Sequence, residues 1–169
     1  RTGQLVDRIR NFIRPTQSQY EIVDIKVLAH DVQLLLSHDI RSQGVTFEWD
    51  FDESKCVVYG DKVQLSQIVL NVYRNAIQAM ANSSVRMINV SIDRDEQRVF
   101  LRVHDSGAGL DESMKTKVGQ PFFTTKEDGL GVGLSISKTI AEMHSGSLTI
   151  TNAVGGGAVA ELNLPAVNE

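Results

Sequence analysis

The sequence predicts an α+β chain built as a two-layer α/β sandwich, one mixed and mostly antiparallel sheet with helices packed on one face. Segments with helical periodicity alternate along the chain with runs that repeat every second residue. Several of these runs come in pairs around short polar or glycine-rich turns, which marks hairpins. At 169 residues the chain has the size of one domain with one well-buried core. The second face of the sheet is expected to meet solvent.

Residues 1–14 read as a helix, with Leu5, Ile9, Phe12 and Ile13 apolar and Asp7, Arg8, Arg10 and Arg14 charged. Pro15 stops it, because its ring donates no backbone hydrogen bond and restricts the residue before it. A linker follows over 15–23, in which Ile22 and Val23 suit a short strand. From Asp24, a candidate N-cap, Ile25, Leu28, Val32, Leu35 and Leu36 recur at helical spacing to about His38. Val45, Phe47, Trp49 and Phe51 then alternate with Thr46, Glu48 and Asp50, the pattern of a half-buried strand. Val57–Tyr59 is a second strand, which Gly60 is expected to break. Asp61 with Gln64 resembles a capping box, and a long helix runs from there to about Ala81. Ile88–Ile92 and Val99–Val103 form a hairpin around Asp93–Gln97. Residues 106–131 are irregular and rich in glycine. A helix from Gly133 to about His144 ends at Gly146, and Leu148–Thr151 pairs with Ala158–Leu164 across Gly155-Gly156-Gly157, stopped at Pro165. The globular unit is read as 24–165, with 166–169 as a tail.

Composition narrows the function. Seventeen Lys and Arg against 21 Asp and Glu leave a net charge of −4, which gives no case for nucleic acid. No apolar run approaches the roughly 20 residues of a membrane span. Arg1 follows no initiator Met and no leader pattern, so the chain is read as a fragment. The single cysteine, Cys56, lies beside Val57 and Val58 and reads as core filler. His104 has no second ligand nearby for a metal site.

The helix after Asp61 carries the most chemistry. Gln64, Gln67, Asn71, Asn75, Gln78 and Asn82 fall within about 40° of one line on it. Leu65, Val69, Val72, Tyr73, Ala76 and Met80 take the opposite arc and must face the sheet. Solvated helix faces usually carry Lys and Glu, which favour helix more than Asn does. A stripe of neutral amides therefore suits a ligand that carboxylates would repel. A polyphosphate with Mg²⁺ is such a ligand, since Mg²⁺ takes one or two side-chain oxygens and completes its shell from phosphates and water. Arg74 flanks Asn75 and either adds positive charge there or is simply solvated.

Downstream, Asp105 ends a strand and Asp105-Ser106-Gly107-Ala108-Gly109 follows it, a backbone that can turn tightly and approach a flat base. Alone, the segment would read as an Asx-type turn. Gly129, Gly131 and Gly133 lead into the next helix, whose backbone amides and positive end suit phosphates. Their spacing is neither a dinucleotide fingerprint nor a P-loop. Between them lies Pro121-Phe122-Phe123-Thr124-Thr125-Lys126. The two phenylalanines read as local core at the root of a short lid, and Lys126 as its phosphate-reaching end.

In this order and spacing, Asn71 and Asn75, Asp105–Gly109, Pro121–Lys126 and Gly129-Leu130-Gly131-Val132-Gly133-Leu134 resemble the nucleotide-binding boxes of bacterial sensor histidine kinases. The resemblance covers most of the chain and implies the Bergerat fold of their catalytic domain, with ATP and Mg²⁺ as cofactors. It implies that Asp105 accepts from the exocyclic amine of adenine, that Asn75 ligates Mg²⁺, and that Asn71 and Lys126 serve the reaction. It places Gly107, Gly109, Phe123, Thr124, Thr125, Lys126, Arg74 and the box from Gly129 to Leu134 around the nucleotide.

Relatives of this fold that hydrolyse ATP usually carry glutamate at position 71, a base that an amide cannot replace. Asn71 therefore favours transfer to another acceptor over hydrolysis. The competing readings are an ATPase of the same fold, a non-catalytic nucleotide-binding module and a serine-directed kinase of the same superfamily.

Pro121–Lys126 and Asn75-Ala76-Ile77-Gln78-Ala79-Met80 resemble the nitrogen-regulation and dicarboxylate-sensor branch. Other branches often carry a lysine and an aromatic residue at 78 and 79, so those contacts are absent from the expected site. His144-Ser145-Gly146 stands where His-Gly-Gly is usual, a change expected to be structural only. His30-Asp31 and His38-Asp39 share the acidic neighbour of a phosphoacceptor, but lie inside the catalytic unit and read as surface or packing histidines. Residues 1–14 look like the end of a dimerisation hairpin whose acceptor histidine lies outside the chain. The implied partners are that phosphoacceptor domain, a response-regulator receiver domain and a second copy in a full-length homodimer. The implied location is cytoplasmic, with anchoring of the whole protein in the inner membrane left open.

Overall fold

A computed structural model of the chain describes residues 19–109 and 132–168. The predicted helix over 1–14, the first four residues of the linker after it, and Pro121–Lys126 with Gly129–Gly131 lie outside the described residues. In chain order the elements are β1 (Tyr20–Asp24), α1 (Ile25–Leu35), α2 (Ser37–Gln43), β2 (Thr46–Phe51), β3 (Val57–Asp61) and α3 (Lys62–Ala79). Then follow β4 (Met87–Arg94), β5 (Arg98–Asp105), α4 (Val132–Met143), β6 (Ser147–Asn152) and β7 (Ala158–Pro165).

The main sheet has the order β2-β4-β5-β7-β6. Only the β2–β4 pair is parallel and the other three pairs are antiparallel. It is the predicted mixed, mostly antiparallel sheet with helices on it. Ile88, Val90 and Ile92 of β4 and Val99, Leu101 and Val103 of β5 alternate into the core, joined by Leu162 and Leu164 of β7. Leu65, Ile68, Val69, Val72 and Tyr73 of α3 close over them, flanked by Leu28, Ala29 and Val32 of α1 and Ile140 and Ala141 of α4. The opposite face is half-buried and polar. There Arg102 pairs with Glu161 at 2.8 Å and Asp93 at 3.0 Å, contacts too exposed to stabilise much.

Both predicted N-caps form. Asp24 Oδ1 accepts from the amides of Lys26 and Val27, and Asp61 Oδ1 accepts from the amide of Gln64. The helix expected to run to His38 instead breaks at Leu36, whose side chain is buried in the core, and α2 begins at Ser37 with Ile40 packed against that core. Gly60 does not end its strand as expected. It lies inside β3, buried and paired with Glu21 of β1. The reason is space, because a Cβ on Gly60 would come within 2.7 Å of the His144 ring. β1 and β3 form a separate two-stranded ribbon, which the Val58–Ala166 bridge ties to the end of β7. Cys56 is buried, and desolvation pushes its thiol pKa up, which suits filler and not a nucleophile.

Candidate nucleotide site

Two distant stretches of chain converge on α3. At the C-terminal end of that helix Gly107 lies so close that a Cβ would sit 2.6 Å from the Ala79 carbonyl oxygen. Two turns earlier, Asn71 Nδ2 donates to the Gly133 carbonyl at 3.2 Å and to Ser137 Oγ at 3.0 Å. The first glycine box and the end of the second thus flank one helical segment, from 71 to 79, about 12 Å long. Asn75 sits between these points, half-buried, and Arg74 beside it is exposed.

The aspartate of the first box is buried at the end of β5. Its Oδ1 accepts from the Gly107 amide at 2.8 Å, an Asx-type turn, and from the Ala158 amide at a longer 3.4 Å. The turn is held from three sides. Ser106 Oγ donates to the Val85 carbonyl at 2.8 Å and accepts from the Met87 amide at 2.9 Å, which pins the loop to the start of β4. Gly109 adopts a positive φ of 81°, with the Asn152 side chain where a Cβ would stand. Gly157, φ 77°, lies against the backbone of Asp105 so closely that a Cβ would fall 1.9 Å from its carbonyl oxygen.

Gln64, the first residue of the predicted amide stripe, is buried and not at a ligand-facing surface. Gln67, Asn71 and Asn75 are half-buried, and Gln78 is exposed. The stripe thus spirals from the protein interior to solvent, and only its middle borders both glycine boxes. Gly133 and Leu134 are half-buried at the start of α4, whose first residue is Val132. Phe123, Thr124, Thr125, Lys126, Gly129, Leu130 and Gly131 lie outside the described residues. His30 is exposed and packs against Trp49, with ring centroids 5.7 Å apart, and His38 is exposed, so both are the surface histidines the sequence suggested.

Sequence reasoning missed Ser106, Gly157, Asn152 and Ser137. Ser106 lies inside the Asp105–Gly109 segment, and its position between Asp105 and Gly107 is its only signal. Gly157 read as one of three hairpin glycines, and nothing local distinguishes a glycine needed for space from one needed for a turn.

Among the described residues no group of three or more His, Cys, Asp or Glu side chains could hold a metal. That donor set offers no protein cage, and an amide oxygen such as that of Asn75 fits Mg²⁺ held mainly by phosphates and water. A shallow depression lined by Asp52, Ser54, Arg94 and Asp95 lies at the turn between β4 and β5 and includes none of these residues.

The family profile described as histidine kinase-, DNA gyrase B-, and HSP90-like ATPase matches residues 60–168. The chain is 33% identical over 170 residues to the sensor protein FixL of Bradyrhizobium diazoefficiens, all of this chain but 34% of that protein. The nucleotide-free catalytic domain of histidine kinase ThkA superposes with a TM-score of 0.78 at 27% identity, over 89% of this chain and 99% of that one. ThkA in complex with the response regulator TrrA matches with a TM-score of 0.76 at 25% identity, over 98% of this chain and 49% of that one. The chain belongs to the histidine kinase-, DNA gyrase B- and HSP90-like ATPase family. Within it, the fold is that of histidine kinase catalytic domains, and the chain spans about a third of the length of its curated relative.

Proposed function

We propose that this chain is the catalytic, ATP-binding part of a sensor histidine kinase. It would move the γ-phosphoryl group of Mg-ATP to a histidine of a dimerisation domain, for relay to a response-regulator aspartate. The observation that carries this is the convergence of Gly107 and Gly133, one from each glycine box, on the Asn71–Ala79 segment. The base would lie by Asp105 and Gly107, near the end of α3. The phosphates would run back towards Gly133, at the positive end of α4.

Asp105 would select adenine, since a carboxylate accepts from its exocyclic amine and repels the carbonyl that guanine offers at that edge. Asn75 would hold Mg²⁺, which supplies charge neutralisation at the phosphates when bound. Lys126, Thr124 and Thr125 would close over the γ-phosphate from the lid rooted at Phe123, with Gly129–Gly133 beneath, and Arg74, exposed beside Asn75, would be a second cation. The transfer breaks the bond between the γ-phosphorus and its bridging oxygen, and forms a phosphorus–nitrogen bond to the acceptor imidazole. ADP leaves. The protein's part is positioning and charge stabilisation of a loose transition state.

Asn71 has no basic oxygen to activate water, and its amide nitrogen is engaged by α4. That supports transfer over hydrolysis. Residues 1–14 would be the end of the dimerisation hairpin, with the homodimer, the regulator and any membrane anchor supplied by the full-length protein. The match of Pro121–Lys126 and Asn75–Met80 supports the nitrogen-regulation and dicarboxylate-sensor branch.

The test mixes this chain with its upstream helical segment and γ-labelled ATP. Acid-labile, base-stable label on the segment is expected. Free phosphate without labelled protein would turn the reading to an ATPase. Asn75→Asp should weaken Mg-ATP binding by about tenfold through like-charge repulsion at the phosphates. Unchanged affinity by calorimetry would remove Asn75 from the site.

A further inference from the structure

The two helices that frame the nucleotide site are joined a second time, far from it, and the incoming strand is part of that joint. His144, just past the end of α4, is buried. Its Nε2 accepts from the Asp61 amide at 3.1 Å, at the start of α3 and 83 positions away. An acceptor at Nε2 leaves the proton of the neutral ring on Nδ1, which donates to the Ile140 carbonyl at 2.8 Å. The imidazole therefore has its hydrogen bonds fixed on both sides.

Asp61 does three things at once. Its amide holds His144, one carboxylate oxygen caps α3 through Gln64, and the other accepts from the amide of Gln19 at 3.0 Å. Gln19 leads directly into β1, and the ring of Tyr20 stacks on His144 at 5.0 Å with planes 12° apart. Gly60 leaves the space that the imidazole fills.

From this joint α3 and α4 run antiparallel to the Asn71–Gly133 contact, ten residues along one helix and eleven along the other, about 15 Å in each case. Helices this short are stiff, so a shift at His144 moves Gly133 and Ser137 against Asn71.

We infer that His144 is a positioning residue, coupling the strand that enters the domain at Gln19–Tyr20 to the α3–α4 pair that binds nucleotide. This rests on the nucleotide-site reading above. By linkage the coupling is reciprocal, so bound ATP also biases how β1 sits on the joint.

The experiment is a double-mutant cycle on this chain, read by calorimetric ATP affinity, with circular dichroism to establish folding. His144→Phe keeps a ring for Tyr20 but loses the acceptor, and should weaken ATP binding by about tenfold, within the usual range of site coupling. Tyr20→Leu alters only the half-exposed entering strand and should weaken it by about threefold. In the His144→Phe background Tyr20→Leu should add nothing further. His144→Gln restores an acceptor for the Asp61 amide and should recover part of the affinity.

A merely structural role would lower melting temperatures and leave affinity unmoved. Unchanged ATP affinity in the folded variants, or losses that simply add, would overturn the inference while the nucleotide site stands. A parent chain that binds no ATP would remove both. Should His144→Phe fail to fold, the same cycle runs between Tyr20→Leu and His144→Gln.

Discussion

Helix α3 is held at both ends, by His144 at its start and by the Asp105 turn at its finish, and the two ends are built differently. At the His144 joint the close approach is between a glycine and a side chain, with the Gly60 Cβ position 2.7 Å from an imidazole carbon. At the Asp105 turn it is between glycines and backbone, 1.9 Å to the Asp105 oxygen from Gly157 and 2.6 Å to the Ala79 oxygen from Gly107. A side chain can swing aside at modest cost. A carbonyl fixed in a strand or a helix end cannot, because its neighbours are hydrogen-bonded through the same backbone. The joint can therefore give slightly while its two hydrogen bonds hold, whereas the Asp105 end is rigid. Such a division suits the proposed site, in which the rigid end would recognise a base and the other would respond to the strand that enters at Gln19.

The largest effect should come from forcing a Cβ into the rigid end. Gly157→Ala combines a positive φ with a backbone clash, and should destabilise the chain by about 3 kcal/mol. ATP binding should be lost with it, because Asp105 is displaced. Gly60→Ala meets side-chain atoms and no backbone, a Leu65 methyl and the His144 ring, and should cost about half as much, ~1.5 kcal/mol. Urea denaturation of the two variants side by side measures the difference. Equal losses would mean that the joint is as unyielding as the base turn.

Tyr73, midway along α3, offers a control that touches neither end. Its ring packs edge-on against Phe47 at 5.2 Å and its hydroxyl donates to the Ala29 carbonyl at 2.9 Å. Tyr73→Phe should cost about 1 kcal/mol near neutral pH, from the lost bond and the partner left unpaired. ATP affinity should not change. Burial also pushes the phenol pKa above its ordinary value of 10.0. The folded chain then keeps a proton that the unfolded chain releases, so this stabilisation is whole below about pH 10 and fades as pH rises further. Melting temperatures of the two proteins should differ at pH 8 and converge towards pH 11, about where the phenol of the unfolded chain has ionised. A constant gap would mean that Tyr73 keeps no excess proton.

Much of this was legible in the sequence, and what was not has a common cause. Asp24 and Asp61 as N-caps, the paired strands on either side of 93–97 and 155–157, and the apolar arc of α3 all depend on residues within a turn or two of one another. Those contacts leave a local period or a cap signature. The two-stranded β1–β3 ribbon, the parallel β2–β4 pair and the bond from Asp61 to His144 join residues tens of positions apart, and no periodicity records them. Asn71 shows the limit within a single residue. Its place on the amide stripe was readable, but its bonds to Gly133 and Ser137 depend on how α4 lies across α3. Gly60 was read as a strand breaker because glycine usually is one, and only the ring above it explains why it lies within a strand.

The smallest prediction concerns the turn that delivers His144 to the joint, and α2 supplies its comparison. Both helices end in a Schellman motif. Val45 and Gly44 donate to the carbonyls of Ile40 and Arg41 at one end, and Gly146 and Ser145 donate to those of Ala141 and Glu142 at the other. The left-handed position is Gly44 at φ 65° in the first and Ser145 at φ 61° in the second. A serine there carries Cβ strain of about 1 kcal/mol. Glycine would relieve it, but would also free the unfolded chain by about 0.5 kcal/mol. Ser145→Gly should therefore stabilise by about 0.5 kcal/mol, and Gly44→Ser should destabilise by a similar amount. Neither should move ATP affinity, since the Ser145 side chain makes no bond in the joint and its carbonyl still accepts from Arg98. A change in ATP affinity in Ser145→Gly would mean that the strained cap itself sets where His144 lies, and that the joint begins one residue later than its hydrogen bonds indicate.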